Sequence, residues 1–391
     1  MGRIHLGLAH LSGREKEFVN EAFDSDWVAP LGPNVDGFES DLEQYFGDGH
    51  RIVALNSGTA AIHLALVHCE VAAGDEVLCQ SFTFCASANP ITYLGAVPVF
   101  VDSEPDTWNI SPQLLEEAIK DRIAKTGRVP KAIIAVHLYG MPAKMSEICA
   151  IARKYGITLI EDAAEALGSR VDGRLCGTFG DYGILSFNGN KMITTGGGGA
   201  LICATQQAKS EIIYYSTQAR EPRPYYHHEH IGYNYRMSNV SAGIGRGQMF
   251  ALQSHIEHHR CIFELYRELL TGINGIKLHE SPSVNFESNY WLNCIELSAD
   301  LRIKGPSDEV QESGAPASNV EALRVALDRA GVESRPLWKP LHLQPVFAAC
   351  PSYVNGVSES LFSRGLCLPS GPRVSTQDAE FIINQIRGNI E

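Results

Sequence analysis

The chain has 391 residues, 44% of them hydrophobic and 20% charged, with 36 glycines and a formal net charge of −13 at pH 7. That length and balance suggest about two globular domains and exclude a fibrous or disordered chain. With no block of lysine and arginine, the acidic chain also lacks the clustered positive charge of a nucleic-acid surface.

The opening residues, MGRIHLGLAHLSGREKEF, show no apolar stretch behind a basic one, so no signal peptide is expected. No run reaches the roughly 18 apolar residues that span a bilayer. Ten cysteines are dispersed singly with no CxxC pair, which predicts reduced thiols in a cytoplasmic protein. Residues 13–23 read as an amphipathic helix, 26–37 as an irregular arm with two prolines, and 37–46 as a second helix. The segment RIVALNSGTAAIHLALVHC then reads as a short strand, a turn at Asn56-Ser57-Gly58, and a helix from Thr59 to about Cys69. Such a turn offers free N–H groups and the positive end of a helix dipole to a phosphate; an ordinary capped helix gives the same pattern.

Strands at 76–79, 97–101 and 131–140, and one opening at 157, alternate with helices near 86–94, 112–121 and 144–155. This predicts an α/β fold with a mostly parallel sheet. Two further apolar runs, Tyr182–Phe187 and Ala200–Cys203, flank a polar, glycine-rich turn that carries Lys191. Ligands of open α/β sheets sit at the carboxyl ends of the strands, where Ser57, Phe84, His137, Asp162 and Ser186 are expected. Beyond Gly199 the pattern predicts a helix at 205–219, a loop at 221–234 rich in proline, tyrosine and histidine, and one long helix at 238–272. A strand at 289–298, a linker-like piece at 301–317 and helices at 318–331 and 376–389 complete a smaller α+β domain. The expected division is a large domain over 1–250 and a small one over 251–391. His227, His228 and His230, and His255, His258 and His259, have no cysteine or acid at a metal-site spacing, so no metal is expected.

A lysine placed like Lys191 can be a solvated loop charge, a phosphate clamp, or an amine that forms an imine with an aldehyde cofactor. A pyridoxal phosphate enzyme needs that amine, a carboxylate to keep the pyridine nitrogen protonated, a phosphate cradle and an aromatic face. The chain offers Lys191, Asp162 at a strand end, Ser57–Ala60 (with Gly58 and Thr59) together with Ser186, and Phe84. Each taken alone has a plain structural reading: Asp162 as a helix cap, Phe84 as core. Their conjunction favours the cofactor.

The segments NSGTAAIHLAL, SFTFCAS, HLYGMPAKM, IEDAAEALGS, GTFGDYGILSFNGNKMITTGGGGALI, GYNYRMSNV, RPLWKPLH and LCLPSG resemble the motifs of the DegT/DnrJ/StrS family, pyridoxal phosphate-dependent sugar aminotransferases of fold type I. The likeness runs over essentially the whole chain. It implies that Lys191 is the imine-forming lysine and Asp162 the partner of the pyridine nitrogen. By the same resemblance Thr59, Ala60 and Ser186 bind the phosphate, Phe84 stacks on the ring, and Glu165 lies near the cofactor hydroxyl. Asn234, in GYNYR, would reach the cofactor phosphate of a neighbouring subunit, which implies a homodimer. Many members read SFHxxK and TTGEGG where this chain has SFNGNK and TTGGGG, so Asn188 and Gly197 stand in for a histidine and a glutamate. With STQARE and SRPLWKPLH, this is most similar to the aminotransferases of the bacillosamine pathway. Those move an amino group from L-glutamate to C4 of a UDP-linked 4-keto-6-deoxy-N-acetylglucosamine. Arg220, Arg236 and Lys339 are candidate cations for the diphosphate, beside Asn188. Sugar dehydratases that resemble the family carry histidine at the position of Lys191, a non-catalytic relative would have lost Lys191 or Asp162, and a nicotinamide dehydrogenase would need a GxGxxG that is absent.

Overall fold

In the computed structural model, which describes residues 2–47, 49–304 and 315–391, the chain alternates strands and helices through its first two hundred residues. Helices α1 (Glu15–Asp24) and α2 (Pro33–Phe46) precede β1 (Arg51–Leu55) and α3 (Gly58–His68). Then come β2 (Glu76–Gln80), α4 (Asn89–Tyr93), β3 (Val97–Val101), α5 (Pro112–Thr126), β4 (Ala132–Val136), α6 (Met145–Tyr155) and β5 (Thr158–Asp162). A short ribbon of β6 (Arg170–Val171) and β7 (Arg174–Leu175) leads to β8 (Tyr182–Ser186), β9 (Gly199–Cys203) and α7 (Gln206–Ser216). Helices α8 (Asn239–Met249) and α9 (Leu252–Leu270) bring the chain to β10 (Ile276–Leu278), β11 (Phe286–Glu287) and β12 (Asn293–Leu297). The remainder is α10 (Ser318–Arg329), β13 (Arg335–Pro336), β14 (Ser352–Tyr353), α11 (Val357–Arg364), β15 (Gly365–Leu368) and α12 (Thr376–Asn389).

The large sheet has the order β1-β9-β8-β5-β4-β2-β3-β14. Its pairs are parallel except those of β9, which runs against both β1 and β8. Strands such as AIIAV and GALIC are apolar at nearly every position because helices cover both faces. On one face Ile62 and Leu66 of α3 and Ile212 of α7 pack with Val53, Ile134, Ile160 and Leu201. On the other, Leu115 and Ile119 of α5 and Ile148 of α6 pack with Leu78, Val99, Ile133 and Leu159. Next to them Phe38 and Leu42 of α2 pack with Ile52, Leu185 and Ile202. The expected α/β architecture with one mostly parallel sheet is therefore present.

A second, antiparallel sheet, β10-β12-β15-β13, has a core in which Phe263 and Tyr266 of α9, Leu323 and Leu327 of α10, and Ile382 and Ile386 of α12 meet Ile295, Leu297 and Leu366. The two layers exchange chain. Ser352–Tyr353 returns to pair with β3, and Ile4 bridges to Val332.

Two expectations are corrected. The second helix starts at Pro33, inside the stretch read as an arm: proline suits the first helical turn, and the side-chain oxygen of Asn239 accepts the N–H groups of Asn34 and Val35 that the turn leaves open. The helix expected over 238–272 is two. Gly245 and Gly247 let α8 lie against Phe38 and the backbone at Glu15, and i→i−3 bonds from Phe250 and Ala251 end it tightly before α9. Of the expected linker, residues 305–314 lie outside the described residues; Ile303 bridges to Ile390. No described helix is long and apolar enough to cross a membrane.

Candidate active site

A cavity of about 350 Å³ opens at the carboxyl ends of β1, β5 and β8, lined among others by Ser57, Gly58, Thr59, Phe84, Asp162, Glu165, Ser186 and Lys191. Of the five residues expected at that edge, four line it. His137 does not: it is fully buried, with Nε2 3.0 Å from Glu161 Oε2 and Nδ1 accepting the Ala143 N–H at 3.0 Å. The sequence places it at the end of β4, but packing turns the ring inward.

The turn after β1 does two jobs. Ser57 Oγ caps α3 by accepting the N–H of Ala60 at 3.0 Å, while the N–H groups of the first turn, at Gly58 and Thr59, have no intrahelical acceptor. Ser186, ending β8, closes this cradle from the side, with its Cβ 3.3 Å from where a Cβ on Gly58 would stand. Gly199 permits the approach. A Cβ there would collide with Gly58 N and the Ser57 carbonyl. Ala60 itself is buried behind the cradle.

Asp162 is almost fully buried, yet both oxygens are directed: Oδ2 accepts Ser87 Oγ at 2.6 Å and Oδ1 the Ala164 N–H at 3.2 Å. Ser87 Oγ lies 2.9 Å from Thr83 Oγ1, so a short hydroxyl chain supports the carboxylate. Phe84 lines the cavity, is 53% exposed and meets Trp338 in a tilted arrangement with centroids 5.5 Å apart, so its ring is accessible to a planar ligand.

Lys191 points into the cavity between an acid and an aromatic ring. Its Nζ is 3.4 Å from Glu165 Oε1 and 3.8 Å from the centroid of the Trp291 ring. Glu165 Oε2 accepts the backbone N–H of Tyr139 at 2.7 Å, from a residue held at φ 55°. Burial pushes the Glu165 carboxyl up to about 7 and the nearby Asp162 adds to this, while the Lys191 ammonium and the Tyr139 N–H pull it down.

The other candidates scatter. Asn188 lines the cavity and is exposed at its mouth. Arg220 is exposed, with its guanidinium 4.5 Å over the Tyr226 ring. Lys339 is half-buried next to Trp338. Asn234 is exposed on the 221–234 loop, its carbonyl accepting Asn56 Nδ2. Arg236 does not line the cavity: it is half-buried, its side chain 9% exposed, paired with Glu39 and bonded to the Ala54 carbonyl, so its charge is already engaged. His255, His258 and His259 each bond a different backbone carbonyl, and no group of three metal-ligating side chains occurs among the described residues.

Sequence reasoning passed over Trp291 and Trp338. Trp338 stands in a quoted motif, but nothing in the string said that it would meet Phe84. Trp291 reaches the cavity from just before β12, a hundred residues after Lys191, and no local pattern signals that meeting.

The donor set fits pyridoxal phosphate: a free N-terminal helix turn for an anion, a buried carboxylate, an open aromatic face and a lysine amine, all around one cavity.

Residues 10–387 match the model of the DegT/DnrJ/EryC1/StrS aminotransferase family. The chain is 46% identical over 385 residues to the putative pyridoxal phosphate-dependent aminotransferase EpsN of Bacillus subtilis, covering 97% of this chain and 94% of that protein. It is 33% identical to the GDP-perosamine synthase of Escherichia coli O157:H7, covering 96% and 95%. Its fold superposes on a crystal structure of a DegT DnrJ EryC1 StrS aminotransferase from Brucella abortus with a TM-score of 0.86 at 30% identity, covering 96% and 95%. The chain belongs to the DegT/DnrJ/EryC1/StrS family and is an aminotransferase.

Proposed function

We propose that this pyridoxal phosphate-dependent enzyme moves an amino group from L-glutamate to C4 of a nucleotide-linked 4-keto-6-deoxy sugar, with UDP-2-acetamido-4-keto-2,6-dideoxyhexose as the sugar. The observation that carries the reading is the convergence of Lys191, Asp162 and the α3 amino terminus on one cavity.

The bound cofactor supplies an aldehyde that carries the amino group between the two substrates and a ring that takes up an electron pair. The protein supplies the rest. Gly58, Thr59 and Ser186 hold the phosphate, with Ala60 behind them. Asp162, supported by Ser87, would hold its carboxylate toward the ring nitrogen. Phe84 would offer its face to the ring, and Glu165 would lie by its hydroxyl. Lys191 Nζ takes the Cα proton of glutamate and later delivers a proton at C4 of the sugar. The two half-reactions share one amine, so the kinetics are ping-pong.

In this reading residues 1–250 bind the cofactor and 251–391 close the cavity with Trp291 and Trp338. Asn188, Arg220 and Lys339 meet the nucleotide sugar. The enzyme works as a homodimer in which Asn234 reaches the partner's phosphate site. The exposed side chains of Tyr226 (79%) and Ile231 (85%), on the same loop as Asn234, support an interface there. The ten free cysteines support a cytoplasmic location.

A second reading keeps the chemistry and changes the nucleotide: the resemblance to a GDP-perosamine synthase favours a GDP-linked sugar. Incubation with L-glutamate and each ketosugar nucleotide, followed by mass spectrometry, separates them. Amination of the UDP sugar alone supports the first reading, and amination of a GDP sugar alone replaces it.

A further inference from the structure

We propose that Trp291 is a positioning residue for the Lys191 amine, and that Asn289 fixes Trp291 and Glu165 on either side of it. The inference rests on the assignment of Lys191 as the reacting amine.

Three contacts converge. The Trp291 ring lies under Lys191 Nζ at 3.8 Å from its centroid, the range in which an ammonium is drawn to the negative face of an indole. The same indole donates its Nε1–H to the carbonyl of Asn190 at 2.6 Å, and so pins the peptide that leads into Lys191. Glu165 Oε1 stands 3.4 Å from Nζ. The amine is therefore held by a ring face and a carboxylate, and the backbone entering it by a hydrogen bond.

Trp291 is itself held rigidly. It is 4% exposed, and its backbone N–H donates to Asn289 Oδ1 at 2.9 Å. Asn289, fully buried, donates from Nδ2 to the carbonyls of Glu165 and Leu167 at 2.9 and 3.0 Å, and its own N–H goes to Ser169 Oγ. One amide thus ties the backbone of the acid to the backbone of the tryptophan. Gly140, at φ +91°, makes room: a Cβ there would collide with Asn289 Oδ1. A buried polar residue with every group of its side chain bonded is costly to misplace, so the spacing across the amine is set by the fold. A lysine has four rotatable side-chain bonds, and delivering a proton to one atom on one face demands that Nζ be confined. The indole confines it without competing for its proton, because a ring face accepts no proton.

Trp291→Leu removes the ring, and Trp291→Phe keeps a ring face but loses the bond to Asn190. Glutamate deuterated at Cα reports proton transfer directly. For Trp291→Leu the expected result is a kcat lower by roughly 10- to 100-fold with the KM for glutamate nearly unchanged, and a larger deuterium isotope effect; Trp291→Phe recovers most of the loss. A second readout needs no turnover. In enzyme treated with excess L-glutamate and reductively methylated with 13C-formaldehyde, the methyl signal absent from Lys191→Arg should be shifted upfield by the indole ring current, and Trp291→Leu should return it to the position of the other lysines. An isotope effect and kcat like wild type in Trp291→Leu, or an unshifted Lys191 signal in the wild type, overturns the proposal. If Trp291→Leu does not fold, the wild-type signal and Trp291→Phe decide. Turnover by Lys191→Ala would remove the assignment of the lysine itself, whereas an inert Lys191→Ala beside a Trp291→Leu with wild-type behaviour removes only the role of Trp291.

Discussion

Glu165 faces Lys191 across 3.4 Å while its other oxygen is bound by the backbone of Tyr139, so a carboxyl raised to about 7 sits beside the amine proposed to react. An unfolded glutamate ionises near 4.5. Between that value and about 7 the folded protein holds a proton that the unfolded chain has released, so stability falls as pH rises through this window and is level above it. At about 1.4 kcal/mol per pH unit the total is on the order of 3 kcal/mol. Glu165→Gln should remove this slope. Urea unfolding of both proteins at pH 5 and pH 8 checks it: the variant gains on wild type by roughly 2–3 kcal/mol over that interval. Parallel behaviour would mean that the carboxyl is not held protonated.

Glu39 is buried and engages two cations, Arg236 and Lys209, the latter at 2.9 Å. Without Glu39, Lys209 keeps Glu43 at 2.9 Å but Arg236 loses its carboxylate, and an uncompensated buried charge costs about 3–5 kcal/mol. Glu39→Ala should therefore lower denaturant stability by that amount. A loss below about 1 kcal/mol, the scale of surface pairs, would show that Arg236 is freer than its burial indicates.

Gly199→Ala tests the cradle. The new methyl has to displace the turn at Ser57 and Gly58, which should weaken binding of pyridoxal phosphate while leaving the much weaker binding of unphosphorylated pyridoxal unchanged. Equal weakening of both ligands, read by titration of the absorbance band, would place the damage elsewhere.

Asp162→Asn should still bind the cofactor, because the cradle and Lys191 are untouched, yet turn over at least roughly 100-fold more slowly for want of the negative charge. A variant that loses the cofactor altogether would show that Asp162 acts in binding first.

The alternation of strands and helices was legible because a sheet covered on both faces leaves unmixed apolar runs such as AIIAV and GALIC, and because glycine turns mark the strand ends. The same local grammar brought out Ser57–Gly58, Asp162, Ser186 and Lys191 as candidates, each next to such an end. It failed where tertiary contacts decide. The break at Phe250–Ala251 is made by i→i−3 bonds from both residues, after a helix that packs on Phe38 and Glu15 through Gly245 and Gly247, and no proline marks it. Arg236 looked like a free cation because Glu39 lies two hundred residues away in sequence, and Trp291 was passed over because only the fold carries it to Lys191.

The most direct test of the assigned chemistry is the absorbance spectrum of the enzyme loaded with pyridoxal phosphate, before and after L-glutamate, for wild type and Lys191→Ala. Wild type should show a visible band that glutamate converts to a near-ultraviolet one, and Lys191→Ala neither the same band nor the conversion at a comparable rate. A Lys191→Ala protein that responds to glutamate as wild type does would contradict that assignment.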